Sequence, residues 1–251
     1  MGRSRRDVPL ERAAWETLRI KGVRQERLRE MFVNLLADDP RFELLQGVIR
    51  YAEDPRELVP LKKLDFTVID TETTGTGFSH GHRLTEVAAV RVRHGRMTEH
   101  FTTLINPRRP IPPFITALTG INDRMVAKAP GFEEIAPQLV DFIGDSVLVA
   151  HNAPFDRAFL DGEFAYALNR RLLTPFVCTV QLARRLVPGL ESYRLDSVTE
   201  HFGVEIENRH RALGDAEATA RVFCQLRAKL LECKVVNLKE ARAFRLSEAT
   251  A

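Results

Sequence analysis

Asp70 and Glu72 stand two residues apart in Val68-Ile-Asp-Thr-Glu-Thr-Thr-Gly75, where an apolar stretch that reads as a strand runs out. The strand period of two sends both carboxylates to one face. Two acids so placed repel each other, and a bound cation relieves the repulsion. Hard oxygen ligands with no thiolate or imidazole cluster nearby favour magnesium or manganese over zinc. Thr73, Thr74 and Gly75 add hydroxyls and open backbone for an approaching phosphate. A surface Asp-x-Glu at a strand end has the same local pattern, so the pair alone does not establish a metal site.

Two further strings carry acids at the starts of helices. In Val149-Ala-His151-Asn152-Ala-Pro-Phe155-Asp156, a buried strand leads into a helix whose first turn holds Asp156. In Arg209-His210-Arg-Ala-Leu-Gly-Asp215, the histidine precedes the acid by five residues and Asp215 begins the last long helix. Each acid alone suits a helix N-terminus, where a carboxylate meets unpaired N–H groups and the positive end of the dipole.

Taken together, the three strings resemble the 3′-to-5′ exonuclease family that uses four acids and a catalytic histidine, which includes the proofreading epsilon subunit of bacterial DNA polymerase III and the exonuclease domain of the Gram-positive replicative polymerase. The resemblance covers about residues 64 to 232. It implies that Asp70, Glu72, Asp156 and Asp215 hold two Mg2+ or Mn2+ ions and that His210 is the general base. It also implies that Thr73, Gly75, His151, Asn152 and Phe155 line the pocket for the terminal nucleotides. Leu118, Thr119 and Ile121 wedge against the last bases on this reading, and a helix cap at Thr119-Gly120 with buried Leu and Ile is an equal one. Glu86 occupies a position that is usually acidic in the family and is read as structural. The implied reaction releases nucleoside 5′-monophosphates from single-stranded or frayed 3′ ends, DNA favoured, in proofreading or repair. Two alternatives stay open: an exoribonuclease of the ribonuclease T type, and an inactive nucleic-acid-binding or polymerase-associated module. His80 and His82 are read as part of a mobile, solvent-facing loop and not as metal ligands.

The elements that must position these residues follow from hydrophobic periodicity. Strands are predicted at Leu64 to Ile69, Leu84 to Val92, Phe101 to Ile105, Val147 to Ala150 and Phe176 to Cys178. Helices are predicted over Phe132 to Ile143, Phe155 to Leu168, Thr179 to Leu186, Leu195 to Phe202 and Ala212 to Leu231. Asn106 to Pro113 reads as a proline-rich loop. An antiparallel meander followed by alternating strands and helices gives an α/β fold, a ribonuclease-H-like mixed sheet flanked by helices.

Residues 1 to 58 read as a separate helical or winged-helix-like module, 64 to 232 as the exonuclease domain and 233 to 251 as a C-terminal tail. In the module, a helix over Leu10 to Leu18 is interrupted by Gly22. Leu28, Met31, Phe32, Leu35 and Leu36 give a second helix one apolar stripe, and Asp38-Asp39-Pro40 ends it. Gln46-Gly47 between short apolar segments suits a tight hairpin. Residues 1 to 29 hold nine Lys or Arg against four Asp or Glu. That local excess suits nucleic acid, a DNA polymerase or another protein partner, although a solvated helix face has the same composition.

The 251 residues, 44% hydrophobic and 28% charged, describe a globular chain with room for a substantial core. No apolar run approaches the roughly 18 residues of a membrane span, and no secretory or transit signal is read, so a cytoplasmic location is expected. Net charge +3 permits a polyanionic partner without requiring one. Cys178, Cys224 and Cys233 lack metal-like spacing and are expected to be buried thiols.

Overall fold

The computed structural model describes residues 8–37, 39, 42–52 and 54–245. The chain forms two compact units, Met1–Glu57 and Leu58–Ala251. In the first, β1 (Val8–Pro9) leads into α1 (Leu10–Leu18) and α2 (Gln25–Leu36), and β2 (Phe42–Leu45) and β3 (Val48–Tyr51) form a hairpin. The sheet order is β1-β3-β2. Gln46 and Gly47 both take positive φ, 49° and 79°, the conformation that matches a two-residue turn to strand twist. Leu10, Ala14, Phe32 and Ile49 make the small core. Of the stripe expected on α2, Leu28 and Phe32 are buried while Met31 and Leu35 stay exposed, so only one edge of it packs. Asp38 and Pro40, expected to end that helix, lie outside the described residues.

The second unit is built on a five-stranded sheet in the order β6-β5-β4-β7-β8. Its strands are β4 (Phe66–Thr73), β5 (Leu84–Arg93), β6 (Arg96–Leu104), β7 (Val147–Ala150) and β8 (Phe176–Cys178). β4, β5 and β6 pair antiparallel, while β7 runs parallel to both β4 and β8. Between β6 and β7 lie α3 (Pro113–Thr119), α4 (Asp123–Val126) and α5 (Phe132–Ile143). Then come α6 (Ala153–Leu168), α7 (Thr179–Leu186), α8 (Leu195–His201), α9 (Ala212–Glu232) and α10 (Leu238–Ala243).

Alternation along β4 divides the core. Phe66 and Val68 join one cluster with Ala212, Ala216 and Ala220 of α9, whose small side chains let that helix lie close to the sheet. Ile69 faces the other cluster, with Phe132 and Leu139 of α5 and Phe159 and Leu160 of α6. The result is a ribonuclease-H-like mixed sheet with helices on both faces.

Three expectations need correction. Helices α3 and α4 occupy the segment after the proline-rich loop, where periodicity gave no helix and only a cap at Thr119-Gly120 was read, because elements of seven and four residues are too short to show a period. The expected tail is partly folded: Val236 accepts the Leu61 N–H at 2.7 Å, and Val235, Leu238 and Ala241 are buried. Cys233, expected to be buried, is exposed. Among the described residues no helix is long and apolar enough to cross a membrane.

Candidate active site

Asp70 and Glu72 share the strand parity of Phe66 and Val68 and so project on the α9 side of the sheet, at the end of β4 that outruns β7. Asp215 lies in the first turn of α9, on the same side. The carboxylate oxygens of these three residues come within 4.8 Å of one another. Thr71 points the opposite way, and its hydroxyl donates to Asp156 Oδ1 at 2.8 Å. Asp156, in the first turn of α6, is not one of those three but lies near enough for its charge to act on Asp70.

The electrostatics are those of acids crowded in a dry place. Burial pushes the Asp70 carboxyl well above the ordinary carboxylate range, and the charges of Asp156, Glu72 and Asp215 push it further. Burial, with Asp215 and Glu86 adding to it, raises Glu72 to about 8. Asp156 rises to about 7 through burial, against the opposing Thr71 hydrogen bond. Burial also raises Asp215, while Arg209 and the His210 N–H pull it back.

Asp215 distinguishes its two oxygens. Oδ2 accepts from Arg209 Nη1 at 2.6 Å and from the His210 backbone N–H at 3.1 Å, whereas Oδ1 is buried without a hydrogen-bond partner. A buried orphan acceptor is costly unless something completes it. An all-oxygen donor set, one member orphaned, with every carboxyl shifted toward neutrality, fits a divalent cation.

The His210 loop is fixed on three sides. His210 takes φ 63° and Asn208 φ 51°, and Gly214 lets the Glu207 carbonyl oxygen lie where a Cβ would stand. Glu86 accepts from both Arg211 nitrogens, at 2.6 and 3.1 Å, and from the Ala212 N–H at 2.9 Å. The acid at position 86 therefore anchors the turn into α9, in the structural capacity read from the sequence. Arg209 had no assigned role in the sequence reading. It spans from Asp215 to a paired bond with Asp196 at 2.7 and 3.2 Å, and lines a cleft of about 620 Å³ together with Asp70, Asp215, Asn152 and Tyr193.

The residues expected to meet substrate separate. Leu118 and Asn152 are exposed, Asn152 in the left-handed region with no capping bond. Phe155 is half-buried and packs its ring 5.1 Å from that of Phe159. Thr73 and Gly75 are buried and bonded to each other, the Thr73 hydroxyl donating to Gly75 O at 2.6 Å, so neither is open to a phosphate. Thr74 is likewise enclosed, its hydroxyl meeting His82 Nδ1 at 3.2 Å and the Arg83 N–H at 3.1 Å. His82 covers Gly75 and braces the loop in place of the expected solvent-facing role; His80 is exposed. Thr119 and Ile121 are buried, with Gly120 at φ 73° closing α3, as the helix-cap reading has it, but the leucine that reading buries, Leu118, is exposed. His151 spends both ring nitrogens, one against the Thr179 hydroxyl at 2.9 Å and one on Tyr193 O at 3.0 Å. Burial lowers its pKa to about 4, so it is a neutral brace.

The exonuclease family model matches residues 67–223. The chain is 38% identical over 176 residues to the PolC-type DNA polymerase III of Caldanaerobacter subterraneus subsp. tengcongensis, covering 70% of this chain and 12% of that protein. It is 38% identical over 165 residues to the DNA polymerase III epsilon subunit of Aquifex aeolicus, covering 66% of this chain and 81% of that one. Among solved structures, exonuclease X in complex with 5′-overhanging duplex DNA matches with a TM-score of 0.57 and 30% identity, over 70% of this chain and 97% of that one. The match spans the strand that presents Asp70 and Glu72, both flanking helix starts and the sheet between them, and the chain belongs to the exonuclease family, with a domain of the 3′-to-5′ exonuclease kind.

Proposed function

We propose that this protein removes nucleoside 5′-monophosphates one at a time from the free 3′ ends of DNA, with Asp70, Glu72, Asp156 and Asp215 holding two Mg2+ or Mn2+ ions. The observation that carries the reading is the convergence of the acids on a point where Asp215 Oδ1 is buried and unpartnered. When bound, the cations neutralise charge at the scissile phosphate and lower the pKa of the attacking water. His210 accepts that water's proton through the ring nitrogen that carries none of its own. Arg209 and the His210 N–H hold Asp215 Oδ2, so that Oδ1 is presented to the ion. Asn152 and Leu118 are the exposed groups offered to the terminal nucleotides.

DNA is favoured because the relatives bear the names of DNA polymerase III subunits and the matched solved structure holds duplex DNA. The N-terminal unit supports a second part of the reading. Two helices followed by a hairpin, in a β1-β3-β2 sheet, form a winged-helix-like arrangement with Arg24, Arg27 and Arg29 exposed on and beside α2. This module positions duplex or a protein partner such as a polymerase.

Time courses on matched single-stranded DNA and RNA, with free or blocked 3′ ends, test the substrate. Monophosphates should appear from free ends, faster from DNA, and a strong RNA preference would overturn the choice. His210→Ala and Asp215→Ala should each abolish release while the fold is retained; unchanged release by either refutes the assignment. Deleting residues 1–58 should weaken duplex affinity or partner retention, and a truncation that alters neither removes the module's role.

A further inference from the structure

Away from the acids, the second unit holds a partly open cavity of about 260 Å³, just below the roughly 300–1,000 Å³ range of small-molecule sites. Phe66, Phe176, Leu182 and Phe223 give it apolar walls. Four cations, Arg157, Arg185, Arg227 and Arg242, also line it, and no carboxylate does among the described residues. The first turns of α6 and α7 border the same space through Pro154 and Gln181. α7 has neither a side-chain cap bond nor an acid in its first turn, so the positive end of its dipole adds to the arginines.

Two of these guanidinium groups, those of Arg185 and Arg227, are held by carbonyls, whereas Arg157 pairs with Asp161 at 3.5 Å. Arg185 Nη1 donates to Ala241 O at 3.3 Å and to Arg242 O at 2.6 Å, and its Nε and Nη2 have no hydrogen-bond partner among the described residues. Arg227 is buried, 8% exposed, and gives Nε and Nη2 to Leu61 O at 3.2 and 2.9 Å. Burial lowers the pKa of both, and the nearby Arg245 and Arg242 add to the effect at Arg185. Arg185 and Arg227, met by carbonyls alone, leave positive charge beside an apolar hollow, a setting that favours an anion. A nucleic-acid strand does not suit so small an apolar hollow, and an uncharged apolar molecule leaves the arginines as they were.

We propose that this cavity is a binding site for a small amphipathic carboxylate, with its apolar body among the phenylalanines and its carboxylate on the free Nε and Nη2 of Arg185. That edge of a guanidinium matches a carboxylate in paired geometry. The site lies against the turn of α6 that carries Asp156 but shares no residue with the catalytic set.

Isothermal titration of the full chain with octanoate, and with 1-octanol as the uncharged counterpart, tests this directly. Octanoate should saturate at one equivalent and bind about tenfold or more tightly than octanol. Arg185→Gln should weaken octanoate about tenfold and leave octanol unchanged, whereas Leu182→Phe, which narrows the cavity, should weaken both. Asp215→Ala should bind octanoate like the parent chain, which separates this site from the nuclease reading. No saturable binding of octanoate, equal binding of the two ligands, or parental octanoate affinity in both cavity variants would each overturn the proposal.

Discussion

Gly214 precedes Asp215 in the first turn of α9, and its need for glycine is one of space. A Cβ there would run into the Glu207 carbonyl oxygen and stand 3.0 Å from that of Asn208, pushing away the loop that carries Arg209 and His210. Gly214→Ala should therefore cost about 1–3 kcal/mol of stability, as overpacking does. Turnover should fall on the order of 10- to 100-fold, the usual penalty for disturbing groups that orient metal ligands. Urea melts and initial rates measure the two effects, and parental turnover would show that the close approach does not hold the loop. Glu86→Ala attacks the same loop from the sheet side, orphaning the buried Ala212 N–H and releasing Arg211. It should cost about 1–3 kcal/mol and lower turnover to a similar degree. The gathering of Asp70, Glu72 and Asp215 was legible in the sequence because these acids stand in strings at a strand end and a helix start. Arg209 and Gly214 were not, since their work depends on a loop lying back on a helix, and no local pattern encodes that approach.

The loop after β4 and helix α6 act as one element through Arg83 and Glu163. Glu163 is almost fully buried, accepts from Arg83 at 2.7 and 2.5 Å, and takes the Leu84 N–H at 3.2 Å. Arg83 also lies over the Tyr166 ring at 4.6 Å, and Phe78 covers Gly162 on the next turn. Truncating Glu163 to Ala strands a guanidinium whose side chain is 19% exposed. About 3–5 kcal/mol should be lost by chemical denaturation, with the largest gain in amide exchange at Gly75 to Arg83. Uniform exchange across the unit would mean that the pair stabilises the whole without coupling these two elements. Strands and long helices were readable from their periods. This coupling was not, because Arg83 and Glu163 are distant in sequence and each looks like an ordinary surface charge, as did His82, whose ring is a lid on Gly75.

For the whole molecule, the acid cluster makes folding stability depend on pH and on metal together. Glu72 at about 8 and Asp156 at about 7 lie above the ordinary unfolded values of roughly 4, so the folded chain binds more protons than the unfolded one between these limits. Stability is then greatest below the unfolded values and is lost as pH rises toward 8. His151 acts in the opposite sense, because its lowered pKa makes the folded chain bind fewer protons between about 4 and the usual histidine value near 6.5. That contribution levels off about one unit above 6.5, and from there the raised carboxyls set the slope. In chelator, the melting temperature should fall from pH 6.5 to 8. Added Mn2+ selects the ionised acids, so the stabilisation it gives should be larger at pH 8 than at pH 6.5, and binding in weak buffer should release protons. Glu72→Gln removes a proton-binding group and should flatten the chelator profile. Parallel profiles with and without Mn2+, with no proton release, would show that the four carboxyls do not form a shared cation site, because an acid cluster held together by its own protons has to surrender them before it can take up a metal.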